Sequence, residues 1–277
     1  MSVSVEESYA YCTRVARSRA RNFYYSFLLL SREQKRAMCA IYTFMRFCDD
    51  LSDEDGATAV GIDRWRGQLT EALDGRFPEN PVWPAFHDAV KRYAIPHEYF
   101  FEIIDGVSRD LQPQRFETFN ELYRYCYQVA SVVGLTVIHI FGFESPGAVE
   151  LAEKCGIAFQ LTNILRDVRE DAERGRVYIP REDLARFGVD PDDLRHDEAF
   201  VRLMRFEAER ARRYYAESQP LVDLVAKRSR PSLWALMQIY SRLLDRIEQA
   251  NYRVLERRIR LPLWEKLMIA GRALAYR

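Results

Sequence analysis

Apolar residues recur at intervals of three and four through nearly the whole chain, and they almost never alternate. That spacing is the signature of amphipathic helices; strands would need a period of two. The 12 glycines and 11 prolines mostly fall between the periodic segments. The pattern predicts helices over 6–19, 31–53, 61–74, 82–94, 97–110, 117–141, 146–172, 195–218, 220–227, 232–258 and 263–275. Breaks fall at Gly75–Pro78, Ile95-Pro96, Gln112-Pro113 and Gly142–Pro146. The longest irregular stretch, 175–193, has room for one short helix at 181–186. No repeat or low-complexity tract interrupts the series, so a single all-α domain over 1–277 is expected.

Composition narrows the class. Hydrophobic residues make up 48% of the 277 and charged residues 30%, which is enough apolar surface for a substantial core. Lysine plus arginine equals aspartate plus glutamate at 41 each. That balance argues against a nucleic-acid partner, which needs clustered positive charge. Cys12, Cys39, Cys48, Cys126 and Cys155 are scattered and form no Cys-x-x-Cys pair. They read as buried thiols of a cytoplasmic protein. The four histidines show no ligand spacing. No signal-peptide pattern opens the chain, no window is long and apolar enough to span a bilayer, and no C-terminal anchor is evident.

Chemistry concentrates on two helices. At 100° per residue, Tyr42, Arg46, Asp49 and Asp53 fall within about 60° on the helix 31–53. Ala37, Ile41, Phe44, Cys48 and Leu51 occupy the opposite side. Asp49 and Asp53 stand one turn apart, with Asp50 and Glu54 beside them. Like charges at that spacing destabilise a helix. They also sit at its C-terminal end, where the macrodipole favours cations. Local helix physics disfavours the arrangement unless a cation, or open solvent, compensates.

The helix 146–172 repeats the device. Asn163, Asp167 and Asp171 are spaced i, i+4, i+8 and span about 80° of the surface. Gly156 and Gln160 extend the stripe, while Ile157, Leu161, Leu165 and Val168 lie elsewhere. Magnesium takes oxygen ligands and keeps substrate phosphates in its shell. Two such ladders facing each other would hold Mg²⁺ ions completed by a diphosphate.

Arginines suit the same anion. Arg46 precedes the first aspartates by a turn, Arg166 adjoins Asp167, and Arg176 follows the second ladder. Guanidinium groups bind phosphate oxygens bidentately. Arg174 reads as a surface ion pair. Near the N-terminus, Arg19, Arg21 and Asn22 form either a basic flap over the phosphates or a solvated helix end.

Three blocks together resemble the squalene/phytoene synthase family: Ala40–Asp53, Tyr125–Gly134, and Gln160–Asp171 followed by Gly175–Pro180. The resemblance runs from about Ser18 to about residue 250. It implies an isoprenoid synthase helical bundle around a central cavity, with Mg²⁺ on Asp49 and Asp53 from one side and on Asn163, Asp167 and Asp171 from the other. It implies diphosphate contacts from Tyr42, Arg46, Arg166, Arg176 and the flap residues Arg19, Arg21 and Asn22. It places Tyr125 near the carbocation. Some relatives carry His and Lys where Arg19 and Arg21 stand here; positive charge is kept.

The activity implied is head-to-head condensation of two prenyl diphosphates through a cyclopropyl intermediate, ending at presqualene diphosphate, squalene or a phytoene-type triene. NADPH is compatible with the family, but no Gly-x-Gly-x-x-Gly motif supports it. Tyr123, Tyr127 and Phe141 join Tyr125 as candidate cation-facing rings. Bulky Phe141, Trp234 and Met237 would shorten the cavity, which favours farnesyl over geranylgeranyl diphosphate. A one-substrate terpene cyclase is disfavoured by the Asn-Asp-Asp row. A non-catalytic respiratory-complex assembly factor is disfavoured by two intact ladders. The stretch 252–277, rich in Arg and Leu, reads as a packed helix with a basic outer face, and alternatively as contact with an anionic membrane that aids product release. Oligomeric state is not legible.

Overall fold

The computed structural model describes residues 3–19, 27, 29–53, 58–112 and 114–274, with the side chains of Ser52 and Asp53 left aside. Arg21 and Asn22 lie outside the described residues, as does the side chain of Asp53. Among the described residues thirteen α-helices follow one another: α1 (Val5–Arg19), α2 (Arg32–Asp53), α3 (Ala59–Leu73), α4 (Trp83–Arg92), α5 (His97–Arg109), α6 (Phe119–Cys126), α7 (Val132–Phe141), α8 (Gly147–Glu173), α9 (Arg181–Phe187), α10 (Glu198–Ser218), α11 (Leu221–Leu224), α12 (Arg230–Gln249) and α13 (Leu263–Ala273). Among the described residues the only β-pairing is two isolated bridges, Arg115 with Val177 and Phe143 with Val225.

Start signals are local. Thr58 accepts from the amide of Gly61 at the head of α3, and Asp197 from that of Phe200 at the head of α10. Thr118 accepts from Glu121 N while Glu121 Oε2 accepts from Glu117 N, which orders the entry to α6.

Two predicted helices need correction. The segment 117–141 is not one regular helix: Tyr127–Ser131 forms a π-turn between α6 and α7. The turn is wedged between two glycines. A Cβ on Gly106 would meet Gln128 and Val129, and one on Gly156 would lie 2.7 Å from Ser131 N and 2.8 Å from Ala130 O. Such one-turn insertions are frequent at functional sites. The predicted helix 232–258 starts at Arg230 and stops at Gln249, because Asn251 and Tyr252 adopt left-handed backbone at φ 49° and 57°. The short helix expected at 181–186 forms over Arg181–Phe187.

Burial divides into two apolar clusters. One gathers residues of α1 to α5 and α7 around Phe44, Trp83, Phe86 and Phe100. Phe86 stacks edge-on against Phe100 with centroids 4.7 Å apart. The second cluster gathers residues of α6, α8, α10, α12 and α13. Phe159 and Trp234 touch both. All five cysteines are free and buried, as expected. No helix among the described residues is long and apolar enough to cross a membrane.

Candidate active site

A cavity of about 430 Å³ lies where the two clusters meet. Its walls include Met38, Ile41, Tyr42, Met45, Arg46 and Asp49 from α2, and Ala152, Cys155, Gly156, Phe159, Gln160, Asn163, Arg166 and Asp167 from α8. Along both helices the lining runs from apolar at the N-terminal side to charged at the C-terminal side. From Met38 to Asp49 is roughly 16 Å of helix, and from Ala152 to Asp167 roughly 22 Å. Both helices therefore bring carboxylates and the negative ends of their dipoles to one mouth.

On the α2 wall, Arg46 pairs with Asp50, and Arg19 of α1 reaches the same carboxylate at 2.5 Å. The Arg46 Nε is buried and has no hydrogen-bond partner among the described residues. Burial pushes the Tyr42 hydroxyl up to about 12, so it is a neutral donor at the wall. Asp49 is exposed at the mouth.

On the α8 wall, Arg166 clamps Asp167 with two bonds, Nε to Oδ1 at 2.7 Å and Nη2 to Oδ2 at 2.5 Å. Arg258 adds a third guanidinium contact to Asp167 at 3.0 Å. Asn163 turns its amide nitrogen toward Gln160, leaving its Oδ1 buried and unpartnered among the described residues. That oxygen acceptor and the Arg46 donor are what a cation and an anion, respectively, would satisfy.

Asp171 departs from the expectation. It is half-buried and does not line the cavity; it borders a smaller hollow with Val168, Arg176 and Tyr178. Burial, then the charge of Asp167, raises its carboxyl to about 7. The angular drift of the ladder explains the offset: eight residues rotate the side chain by about 80° away from Asn163. Among the described residues, no three His, Cys, Asp or Glu side chains converge into a ready-made metal cage.

Tyr125 lies in the cavity wall, 3% exposed, with its ring stacked 5.2 Å from that of Tyr178. Its hydroxyl donates to Asp110 Oδ2 at 2.9 Å, and that of Tyr178 to Asp110 Oδ1 at 3.0 Å. Burial and the Asp110 charge hold the Tyr125 phenol well above its ordinary range. Arg176 also lines the cavity and donates to the Asp110 carbonyl at 2.8 Å. Of the other expected rings, Tyr123, Tyr127 and Phe141 do not line the cavity; Tyr123 instead bonds Glu153 at 2.5 Å. Phe159, stacked 4.3 Å from Tyr240, does line it.

Asp110, Tyr178, Tyr240 and Arg258 are the residues that sequence reasoning overlooked. Asp110 carried a readable signal, an acid at the C-terminal end of a helix, the same anomaly that marked Asp49. Arg258 carried none, since its partner lies 91 positions away.

An all-helical bundle around an apolar hollow, with carboxylates and guanidiniums facing one another at the mouth, belongs to the class of proteins built to hold an oily chain by an anionic head. Comparison gives that class its family. The squalene/phytoene synthase model matches residues 7–265. A 15-cis-phytoene synthase from Synechococcus elongatus is 36% identical over 282 residues, covering 95% of this chain and 91% of the relative. Phytoene synthase 1 of Arabidopsis thaliana is also 36% identical, over 98% of this chain and 66% of its own length. A dehydrosqualene synthase crystal structure superimposes with a TM-score of 0.91 at 30% identity, covering 98% of this chain and 97% of that one. A squalene synthase from Alicyclobacillus acidocaldarius gives 0.84 at 28% identity, covering 91% and 97%. The chain belongs to the squalene/phytoene synthase family. It is a prenyltransferase of the kind that condenses prenyl diphosphates head to head.

Proposed function

We propose that this enzyme joins two geranylgeranyl diphosphates into a phytoene-type triene. The single observation carrying the substrate length is the lining of the apolar end. The farnesyl expectation rested on Phe141, Trp234 and Met237, and none of the three lines the cavity. The lining from their two helices, α7 and α12, is Val133, Gly134, Val137, Ile138, Leu233, Leu236 and Tyr240, with Ala152 and Cys155 contributed by α8. The curated relatives named phytoene synthases support the same reading. Farnesyl diphosphate is the second reading, favoured by the likeness to the dehydrosqualene synthase.

In the structure the mouth is self-neutralised, Arg46 and Arg19 on Asp50, Arg166 and Arg258 on Asp167. A diphosphate with its counter-cations offers both sides better partners. Phosphate oxygens would take the arginines, including Arg176, and Tyr42; the cations would take the carboxylates. Asp49 and Asp53 from α2, and Asn163, Asp167 and Asp171 from α8, would hold Mg²⁺. The metal would supply positive charge against the diphosphate leaving group. Arg21 and Asn22 would extend the phosphate contacts of Arg19.

As the first diphosphate leaves, the arginines and the Tyr42 hydroxyl stabilise the charge growing on it. The apolar walls keep water from the allylic cation. The double bond next to the second diphosphate attacks it, and proton loss closes a cyclopropane. Loss of the second diphosphate, rearrangement and a further proton loss give the triene, with no hydride donor required. Tyr125, with its proton committed to Asp110, turns its phenol oxygen and ring toward these cations. The shared rings Phe159 and Trp234 and the common cavity support reading 1–277 as one domain.

Incubation with each labelled prenyl diphosphate and Mg²⁺, with and without NADPH, tests the assignment by chromatography of the products. Triene from geranylgeranyl diphosphate in the absence of NADPH is expected. Exclusive turnover of farnesyl diphosphate would overturn the chain length.

A further inference from the structure

We propose that the outer face of α13 is a docking surface for an anionic lipid bilayer. Large exposed apolar side chains are concentrated there. Leu263, Trp264, Leu267, Met268 and Leu274 are all exposed, Trp264 at 60%, whereas the others among the described residues, Val5, Val60 and Phe77, stand singly. At 100° per residue the five span an arc of about 140°. Glu265, Ile269 and Ala273 face the other way and are buried. Glu265 accepts from Arg242 at 3.1 Å and from Arg246, both on α12. The helix is therefore pinned to the bundle by one face, and the apolar face points outward by construction.

Charge identifies the occupant. Lys266 and Arg272 fall just beyond the two edges of the apolar arc, and Arg257 and Arg260 are exposed immediately before the helix. Their chain carries no formal net charge overall, so the basic rim is local. An apolar stripe containing Trp and bordered by Lys and Arg matches a bilayer interface, where the stripe enters the acyl boundary and the rim meets anionic headgroups. A second copy of the chain would instead set one basic rim against another. The position suits the chemistry. Arg166 and Tyr240 line both the central cavity and a second hollow bordered by Arg258, Leu261 and Lys266, so α13 flanks the site that handles oily chains. The inference holds for either prenyl substrate.

Vesicle flotation tests it, using phosphatidylcholine alone and phosphatidylcholine mixed with phosphatidylglycerol. The wild-type chain is expected to float with the mixed vesicles, roughly ten-fold or more tighter than with neutral ones, and to be released by salt. The variant Trp264→Ser/Leu267→Ser/Met268→Ser is expected to stay unbound while keeping its turnover of detergent-dispersed substrate. Should that variant misfold by circular dichroism, Arg257→Gln/Arg272→Gln is expected to lose the preference for anionic vesicles. Failure of the wild-type chain to float, or equal flotation of wild-type and folded variants, would overturn the proposal. So would a gel-filtration dimer that the serine variant splits in the absence of any lipid binding.

Discussion

The hydroxyl of Tyr125 donates to Asp110 Oδ2 at 2.9 Å in the wall of the cavity, and Tyr178 donates to the other oxygen. One carboxylate thus sets the direction of two phenols. Asp110→Asn offers one oxygen in place of two and is expected to lower kcat by about 10²-fold, in the range of a misplaced proton-handling group. KM should change little, and the circular dichroism should match wild type. Steady-state kinetics on both forms would check this; a loss confined to KM would contradict the role.

Asp49→Ala and Asp167→Ala should each abolish turnover without unfolding the protein. Removing Asp167 also strips Arg166 and Arg258 of a carboxylate, so this variant should additionally shift in melting temperature. Activity assays with Mg²⁺ titration, paired with thermal melts, separate the two effects. Full activity in either variant would refute the metal assignment.

Gly156 permits α8 to lie directly on the π-turn beside Tyr125. Gly156→Ala would push its methyl into the backbone of Ser131 and Ala130, which cannot rotate away. Destabilisation of about 1–3 kcal/mol is expected from the overpacking. Denaturant unfolding measures it, and an unchanged midpoint would show that the turn can yield.

The apolar end of the cavity should set product length. Val133→Phe fills space that Val133 leaves open beside Gly134 and Val137. Competition between labelled farnesyl and geranylgeranyl diphosphates should shift toward the shorter chain by about ten-fold, the scale of a few methylenes in an apolar pocket.

Far from the cavity, Glu207 is buried with Asp183 and Arg210, and Arg210 donates to both carboxylates. Two acids share one guanidinium, and burial pushes Glu207 up to about 8 from its ordinary 4.5. The folded chain therefore holds a proton that the unfolded chain loses. Stability should fall as pH rises from about 4.5 through 8, and Glu207→Gln should remove that part of the slope. Melting temperatures across this range check the sign.

The helices were legible because their causes are local. Apolar spacing, and Gly or Pro between segments, place most elements within a few residues. The rows Tyr42–Arg46–Asp49 and Asn163–Asp167 were legible for the same reason, since one helix fixes the angles within each row. The π-turn at Tyr127–Ser131 was not, because it depends on Gly106 and Gly156 arriving from other helices. Phe141 and Trp234 read equally well as cavity or core, because a helix pattern tells which residues are apolar but not which apolar neighbour they meet.

The sequence by itself determined an all-α chain and two oxygen-bearing helix faces, consequences of spacing along single helices, and its motif blocks carried the resemblance to a family. Only the tertiary structure decided that Arg258 reaches Asp167, that Asp110 governs Tyr125, and that Asp171 turns out of the main cavity. These are contacts between segments far apart in the chain, and their geometry is set by how the helices pack, a three-dimensional relation that no one-dimensional period encodes.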